Sequence, residues 1–567
     1  MTKFKLFHSL NQNKIEFLCL AALTMAMVPL LLTGHYFCSD WLNHLWPVGY
    51  ISNYFRSHLW IPDVVSTNNF IGLPYHVFYG RWLYIFGGLL GALFQPEVGL
   101  RLVLFFSFFF QAASVFLAFR SLGHQRDTSA FATVVVSIST YSLTNLYHRA
   151  ALPEYVATAS IITTIALTVL LANTRQTPHK IFYFFSLVLA LVWATGNHPI
   201  TTLYFGLVAS LLFLVLQIFA PSLIKNNFRI LLILSFAGAI AFAINFSSYY
   251  AIIRYKSDLH ISTTSILNFI ESVDTIVTRL FPIPFDKRSL INGTKIDTPY
   301  LETQINGALL LLVLLGIRTK TLKPFKFACL GLAGIFLWLS VSNTGWNFIP
   351  SSLTIVQFPY RLVTYVNLFL FLALLGTNLE KHRRTIAPLM VYILIGLIIK
   401  LVHVGAVKTD KSKVGVGNDK SYLTWINDTG PLKNYTTTGP WSQIDNADLK
   451  TAKTTNLTIT VNSPHFGEVP SALAAESGWH LTNVSAFPWN HIYVNGERAK
   501  DLLRNDGRIA VHISQSKSRL DLAVTPDKTW YRLNIISYLF LIAALTGFVG
   551  SFILLLRSML RTKGLWA

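Results

Sequence analysis

The sequence predicts a polytopic α-helical membrane protein of about 12 transmembrane helices, with a small extracytoplasmic β-rich domain before the last helix. Three observations carry that expectation. Apolar runs long enough to span a bilayer recur along most of the chain. Over 567 residues the composition is 53% hydrophobic and only 13% charged, and the mean hydropathy is +0.49, a balance that soluble globular chains rarely sustain. One long segment near the C-terminus, 406–533, breaks the pattern by turning polar and rich in Thr, Asn, Ser and Lys.

Apolar length places spans near 16–34, 98–119, 129–146, 155–172, 181–196, 201–220, 229–249, 306–317, 326–342, 362–377, 385–405 and 534–556. The N-terminal basic segment followed by an apolar run has spanning length and lacks a clear small-residue cleavage site, so it reads as a retained first helix. Twelve spans put both termini on one side. The net charge of +21 comes from short clusters between apolar runs, as in RTKTLKPFK and EKHRR, which is the pattern of cytoplasmic loops facing anionic lipid and not of a nucleic-acid binder. The linkers 120–127, 173–180, 221–229, 317–326 and 378–385 then share one face with both tails, predicted cytoplasmic in a cell (plasma or inner) membrane.

The run Leu83–Phe94 is apolar but shorter than the ~20 residues a crossing needs. Counting it as a span would invert every later charge assignment, so it reads as half-inserted or lying at the membrane surface. That leaves 35–97 as one long outer loop, with further outer segments at 250–305, 343–361 and 406–533. Within the last, NLTITVN, RIAVHIS and SRLDLAV alternate like strands, and VNGERA and NDGRIA supply hairpin turns. The division is therefore a transmembrane body at 1–405, a β-rich domain at 406–533, and a final helix with a basic tail at 534–567. Two of the three cysteines, Cys19, Cys38 and Cys329, lie in apolar runs, and the set forms neither a disulfide framework nor a metal-thiolate site.

Three polar constellations fall at the outer ends of spans. Asp40 and His44 follow the first span four residues apart, on one face if helical. They can take a proton from an acceptor hydroxyl, hold a divalent cation or orient a sugar, or they are simply the wet face of an interfacial helix. In LYHRAALPEYVATA, His148, Arg149 and Glu154 sit at a helical hairpin, where ionisable groups must pair, line water or bind something. Arg149 and Glu154 either close the hairpin as a structural pair or shape a site. In TIVQFPYRLVTYVN, Pro359, Tyr360 and Arg361 stand at the start of a span, where Arg361 either grips a phosphate or snorkels. His198 in TGNHPITT reads as a helix-end residue satisfied by backbone. No phosphate-binding loop, dinucleotide fingerprint, zincin motif or nucleophile elbow occurs, so ATP is not a visible energy source.

The stretches SDWLNHLW, GLPYHVFYGRWLYIFGGLLGALF, YHRAALPEYVA and IVQFPYRL, in that order across roughly 35–365, resemble bacterial membrane proteins labelled 6-pyruvoyl-tetrahydropterin synthase-related. These are similar to YfhO-type proteins and the wider GT-C glycosyltransferases. ESGWHLTNVSAFPWNHIYVNGE adds a looser match to the β-domain such proteins carry. The resemblance implies a GT-C-like body, a sugar donor carried on a polyprenyl phosphate, an envelope glycan, lipid or polymer acceptor, and an acidic residue in the first outer loop near the chemistry. That position is Asp40 here. Where the family often has Pro after FYG, this chain has Arg81, an added cation for a phosphate or a shifted interfacial anchor.

The expected chemistry is direct displacement at the anomeric carbon, with Asp40 as base and His44 orienting it or contacting the sugar. Arg361, with Arg149 or Arg81, would stabilise the departing phosphate, with Glu154 and Tyr360 shaping that site. Two other readings stand beside this one. An exporter or flippase component would carry ionisable residues near mid-span. A scaffold of envelope polysaccharide assembly would bind glycan through the β-domain, with Trp441, Trp479 and Trp489 stacking on sugars unless they are packed in a core.

Overall fold

The computed structural model describes residues 12–31, 39–66, 72–255, 305–316, 323–350, 359–406, 455–457, 471–474, 476–485, 487–499, 502–505 and 508–562. These residues are mostly helical, with a small β region near the C-terminus. Nine described helices are long and apolar enough to cross a membrane: Lys14–Leu31, Pro96–Ser121, Leu152–Asn173, Thr177–Asn197, Pro199–Phe219, Phe228–Tyr255, Lys323–Val341, Leu379–Val402 and Lys528–Arg561. Nine of the twelve expected runs thus form elements of spanning length, which supports a membrane protein.

The other three are shorter. Gly307–Gly316 has 10 residues and Val363–Leu375 has 13. The run at 129–146 is broken: Arg126–Ser137 ends at Ile138, Ser139 caps a new turn by accepting the Ser142 N–H at 3.1 Å, and Thr144–His148 is a π-helical turn. Clustered β-branched and hydroxyl residues (Val134 to Val136, Ser137 to Thr140) favour such a break over a continuous helix. The Val135 carbonyl at the break accepts Asn306 Nδ2 at 2.6 Å.

The run Leu83–Phe94 makes up most of a 13-residue helix, Arg81–Leu93, with Phe94 as its C-cap, consistent with the expected short element. It is held by a seam of glycines, with Gly87 and Gly91 against Gly99 of Pro96–Ser121 and Gly88 against Ile51 of the helix Ser39–His58. Arg56 closes its C-terminal end by donating to the carbonyls of Gly91 and Ala92, both at 2.9 Å. At the opposite end of the long helices, Glu16 pairs with Arg126 at 3.0 Å and Asp127 with Arg383 at 2.5 Å, while Glu380 accepts the Gln125 N–H at 2.8 Å. The start of the first helix and the basic linkers around 120–127 and 378–385 therefore meet at one end of the bundle.

The β region forms two four-stranded sheets from β1 (Thr455–Leu457), β2 (Ser471–Ala474), β3 (Gly478–Ser485), β4 (Asn490–Val494), β5 (Glu497–Arg498), β6 (Leu502–Asn505), β7 (Arg508–Ile513) and β8 (Ser518–Val524). Their orders are β1-β3-β7-β6 and β2-β8-β4-β5. Val484, Ile492, Val511, Ile513, Leu520 and Leu522 form the buried core of these strands. The expected RIAVHIS and SRLDLAV strands are β7 and β8, and β1 covers the start of NLTITVN. Asn495 and Gly496, both at positive φ (51° and 85°), make the tight β4–β5 turn that VNGERA predicts. The NDGRIA turn lies between β6 and β7, its Asp506 and Gly507 outside the described residues.

The sandwich docks on the helical body. Trp489 donates to Tyr255 Oη at 3.0 Å and packs 4.6 Å from Trp530, and Asn490 Nδ2 donates to the Gly72 carbonyl at 2.9 Å. Trp489 is buried and thus packs in a core instead of offering a face to a sugar. Trp479 is half-buried against His512, and Trp441 lies outside the described residues. Cys19 and Cys329 are buried free thiols, and Cys38 is likewise outside them.

Candidate functional site

Pro153 in the first turn of Leu152–Asn173 fits a helix start, and Glu154 next to it places a carboxylate at the positive end of the helix dipole. The chain reaches this point through a sharp turn in which Ala150 has φ +50°, a left-handed conformation costing an L-residue ~1–2 kcal/mol. That turn brings Arg149 back over Glu154. Its Nη1 donates to Glu154 Oε2 at 2.9 Å. From a separate part of the chain, the 3-10 turn Pro359–Leu362 delivers Arg361, whose Nε lies 3.2 Å from the same oxygen. Tyr141 Oη at 2.9 Å and Asn145 Nδ2 at 3.3 Å donate to Oε1.

Glu154 is 1% exposed, so this carboxylate is wholly enclosed by donors. The arginine side chains retain 11% exposure each, leaving an accessible edge on each guanidinium-bearing side chain. Tyr360 is buried and stacks under Arg149, 5.3 Å from ring centre to guanidinium carbon. Two guanidiniums share one carboxylate, which leaves the cluster about one positive charge in excess. Burial opposes charge on Arg149, but the Glu154 carboxylate outweighs it and holds the guanidinium above its ordinary value.

Two histidines complete the surroundings. His198 caps the helix Pro199–Phe219: its Nδ1 accepts the Thr201 N–H at 3.1 Å, so the neutral ring carries its proton on Nε2. The helix-end reading of His198 is therefore met, yet its ring also lies in the field of Glu154, Arg361, Arg149 and His44. His44 is buried, with Nδ1 2.7 Å from Tyr84 Oη, and its ring also bonds the Ala150 backbone. With those partners engaged, His44 holds no ring nitrogen out for a divalent ion. Asp40 lies one turn earlier in Ser39–His58; its side chain, like that of His148, lies outside the described residues. Among the described residues no group of three or more His, Cys, Asp or Glu side chains could hold a metal ion.

The structure places Arg81 elsewhere. Its guanidinium donates to Ser247 at 2.5 Å, Ser248 at 2.7 Å and Asn534 at 2.7 Å, and stacks on Trp82 and Tyr538. The expected extra phosphate ligand is a buried clamp joining the short helix to Phe228–Tyr255 and to the last helix. Sequence reasoning missed Tyr141 and Asn145, which carry no ionic signal; the polar cluster STYSLTN just before the hairpin is the trace that could have flagged them.

Burial pushes His44 and His198 down to about 3. Because the folded state resists protonating them, their stability contribution is complete above the ordinary value of ~6.5 and is lost as pH falls from there toward 3. Asp63 acts oppositely: burial raises it to about 6, so its contribution is largest in acid and declines as pH rises through that value. Urea midpoints in nanodiscs between pH 7 and 4 are expected to fall less steeply in His44→Gln and His198→Gln than in the wild type. Equal slopes would place both imidazoles in water.

Comparison of the chain with family models, with curated proteins and with solved structures returns no match.

Proposed function

We propose that this chain is a GT-C-type membrane glycosyltransferase that moves a sugar from a polyprenyl-phosphate carrier to an envelope glycan, lipid or polymer acceptor on the outer face. In this reading the chain crosses a cell membrane about 12 times, with both termini and the basic linkers cytoplasmic and the β-sandwich outside. The observation that carries it is the enclosed Arg149–Glu154–Arg361 cluster, at the end of the helices opposite the ion pairs of Glu16, Asp127 and Glu380. Its excess positive charge suits an anionic headgroup, and its paired guanidiniums suit phosphate oxygens. The resemblance of SDWLNHLW, YHRAALPEYVA and IVQFPYRL to the 6-pyruvoyl-tetrahydropterin synthase-related and YfhO-type proteins supports the same assignment.

The reaction is an in-line displacement. Asp40 takes the acceptor hydroxyl proton, the hydroxyl oxygen bonds the anomeric carbon, and the bond from that carbon to the phosphate oxygen breaks. Arg361 and Arg149 stabilise the charge on the leaving polyprenyl phosphate. His44, held by Tyr84, orients the helix turn bearing Asp40. The placement of charge also favours this reading over an exporter. In all nine long helices, the Asp, Glu, Lys and Arg residues lie within about two turns of an end, and none is near the middle.

Purified protein in lipid nanodiscs, offered a panel of polyprenyl-phosphate sugars and envelope acceptors, is expected to transfer sugar. Arg361→Lys, which keeps the charge but loses the planar fork, is expected to lower transfer ~10–100-fold. Asp40→Asn is expected to abolish it with the fold intact. Unchanged product formation by a well-folded Asp40→Asn protein would sink the mechanism.

A further inference from the structure

Directly below the arginine–glutamate cluster, several buried hydroxyls lack partners. Tyr155 Oη, Thr158 Oγ1 and Thr364 Oγ1 make no hydrogen bond, and Tyr155 and Thr364 are only 2% and 4% exposed. An unpaired buried hydroxyl costs about 1–3 kcal/mol, and three sharing one site call for a common partner. All three line a cavity of about 30 Å³ that also touches Tyr141 and Asn145, the two residues that donate to Glu154 Oε1. Asn306 lines both this cavity and a second one of about 50 Å³. Tyr392 lines the second cavity, where its Oη is also buried without a partner, as does Lys400, whose Nζ donates to Thr144 Oγ1 at 2.8 Å.

We propose that both cavities are binding sites for ordered water, forming a wet polar seam along the broken helix from the Glu154 cluster to Lys400. The volumes suit roughly two molecules in the first and three or four in the second, at ~15 Å³ each. Water fits where other ligands do not. The volumes are too small for a lipid chain and the unpartnered hydroxyls would stay unsatisfied against a hydrocarbon, and the lining contains no carboxylate, while Arg149, Arg361 and Lys400 stand nearby, which disfavours a cation. The broken helix makes the seam possible. Where Arg126–Ser137 stops and the π-turn begins, backbone and side-chain polar groups turn inward that a continuous helix would satisfy by itself.

The seam places water one hydrogen-bonded residue away from Glu154, so the enclosed charges are solvated from below as well as by their own pairing.

X-ray hydroxyl-radical footprinting of the full chain in nanodiscs tests it, since radicals form from bound water and label what it touches. Tyr147 is the internal control, being 1% exposed with its hydroxyl already donated to the Ala26 carbonyl at 2.7 Å. Tyr155 is expected to be modified several-fold faster than Tyr147, and Thr364→Val is expected to bring that rate down toward the control. Equal rates for Tyr155 and Tyr147 in the wild-type protein overturn the proposal, whatever the variant does. A Tyr155 rate that changes when sodium is replaced by a bulky organic cation would overturn it in favour of an ion.

Discussion

Glu154→Ala is expected to cost about 3–5 kcal/mol of folding stability, since it strips the carboxylate from two guanidiniums that are nearly nine-tenths buried. The loss lies at the upper end of the range for core truncations because the arginines remain buried without their carboxylate and cannot neutralise. Tyr141 and Asn145 lose their acceptor as well. Glu154→Gln keeps an acceptor for Tyr141 but not the charge, and its cost is expected to lie between that of alanine and the wild type. Adding Arg361→Ala to Glu154→Ala removes one stranded cation, so the double variant is expected to be less damaged than the two single losses added together, by ~0.5–3 kcal/mol. Urea midpoints in nanodiscs measure the wild type, the three single variants and the double variant. A single-variant cost below ~1 kcal/mol would mean that the cluster is solvated like a surface ion pair, and the anion site would lose its physical basis.

Gly99→Val is expected to abolish the folded protein or leave it without function. A Cβ at this position falls against the Gly87 carbonyl oxygen and within 2.8 Å of the Gly91 Cα, all of it backbone that no rotamer change can move. Overpacking of a close helix contact costs at least ~1–3 kcal/mol, and here the displaced element is Arg81–Leu93. That helix supplies Tyr84 to His44 and receives Asn197 at its start, where the Leu83 N–H donates to Asn197 Oδ1 at 2.7 Å. His198 follows Asn197 directly. Moving the helix therefore loosens His44, 40 residues from its partner Tyr84 in sequence, and Asn197, 114 residues from its partner Leu83, together with the adjoining His198. Gly206→Ala and Gly238→Ala, where an added Cβ meets nothing within 4 Å, are the controls and are expected to extract and melt like the wild type. Normal yield and melting of Gly99→Val would show that the seam is not packed as described.

The sequence by itself determined the class of the molecule and most of its long helices, because spanning length and hydropathy are local properties that lipid enforces residue by residue. It also determined the β7 and β8 strands and the Asn495–Gly496 turn, where alternation and positive φ leave little choice. Within the candidate site it supplied Arg149, Glu154, Tyr360, Arg361 and His44, because a charge or imidazole at a span boundary stands out against apolar surroundings.

Only the tertiary structure decided what those residues do together. Arg361 meets Glu154 across more than 200 positions through a turn whose partner no periodicity reveals. Arg81 looked equivalent to Arg361 in sequence, yet Ser247, Ser248 and Asn534 claim it for the joint between helices. The break after Ser137 was hidden inside an apolar run of ordinary length, since hydropathy reports the cost of leaving water and not the path of the backbone. In lipid nearly every long helix is apolar throughout, so composition marks which segments enter the membrane. Which face of each meets which neighbour rests on a few glycines, buried amides and ion pairs whose partners lie far along the chain.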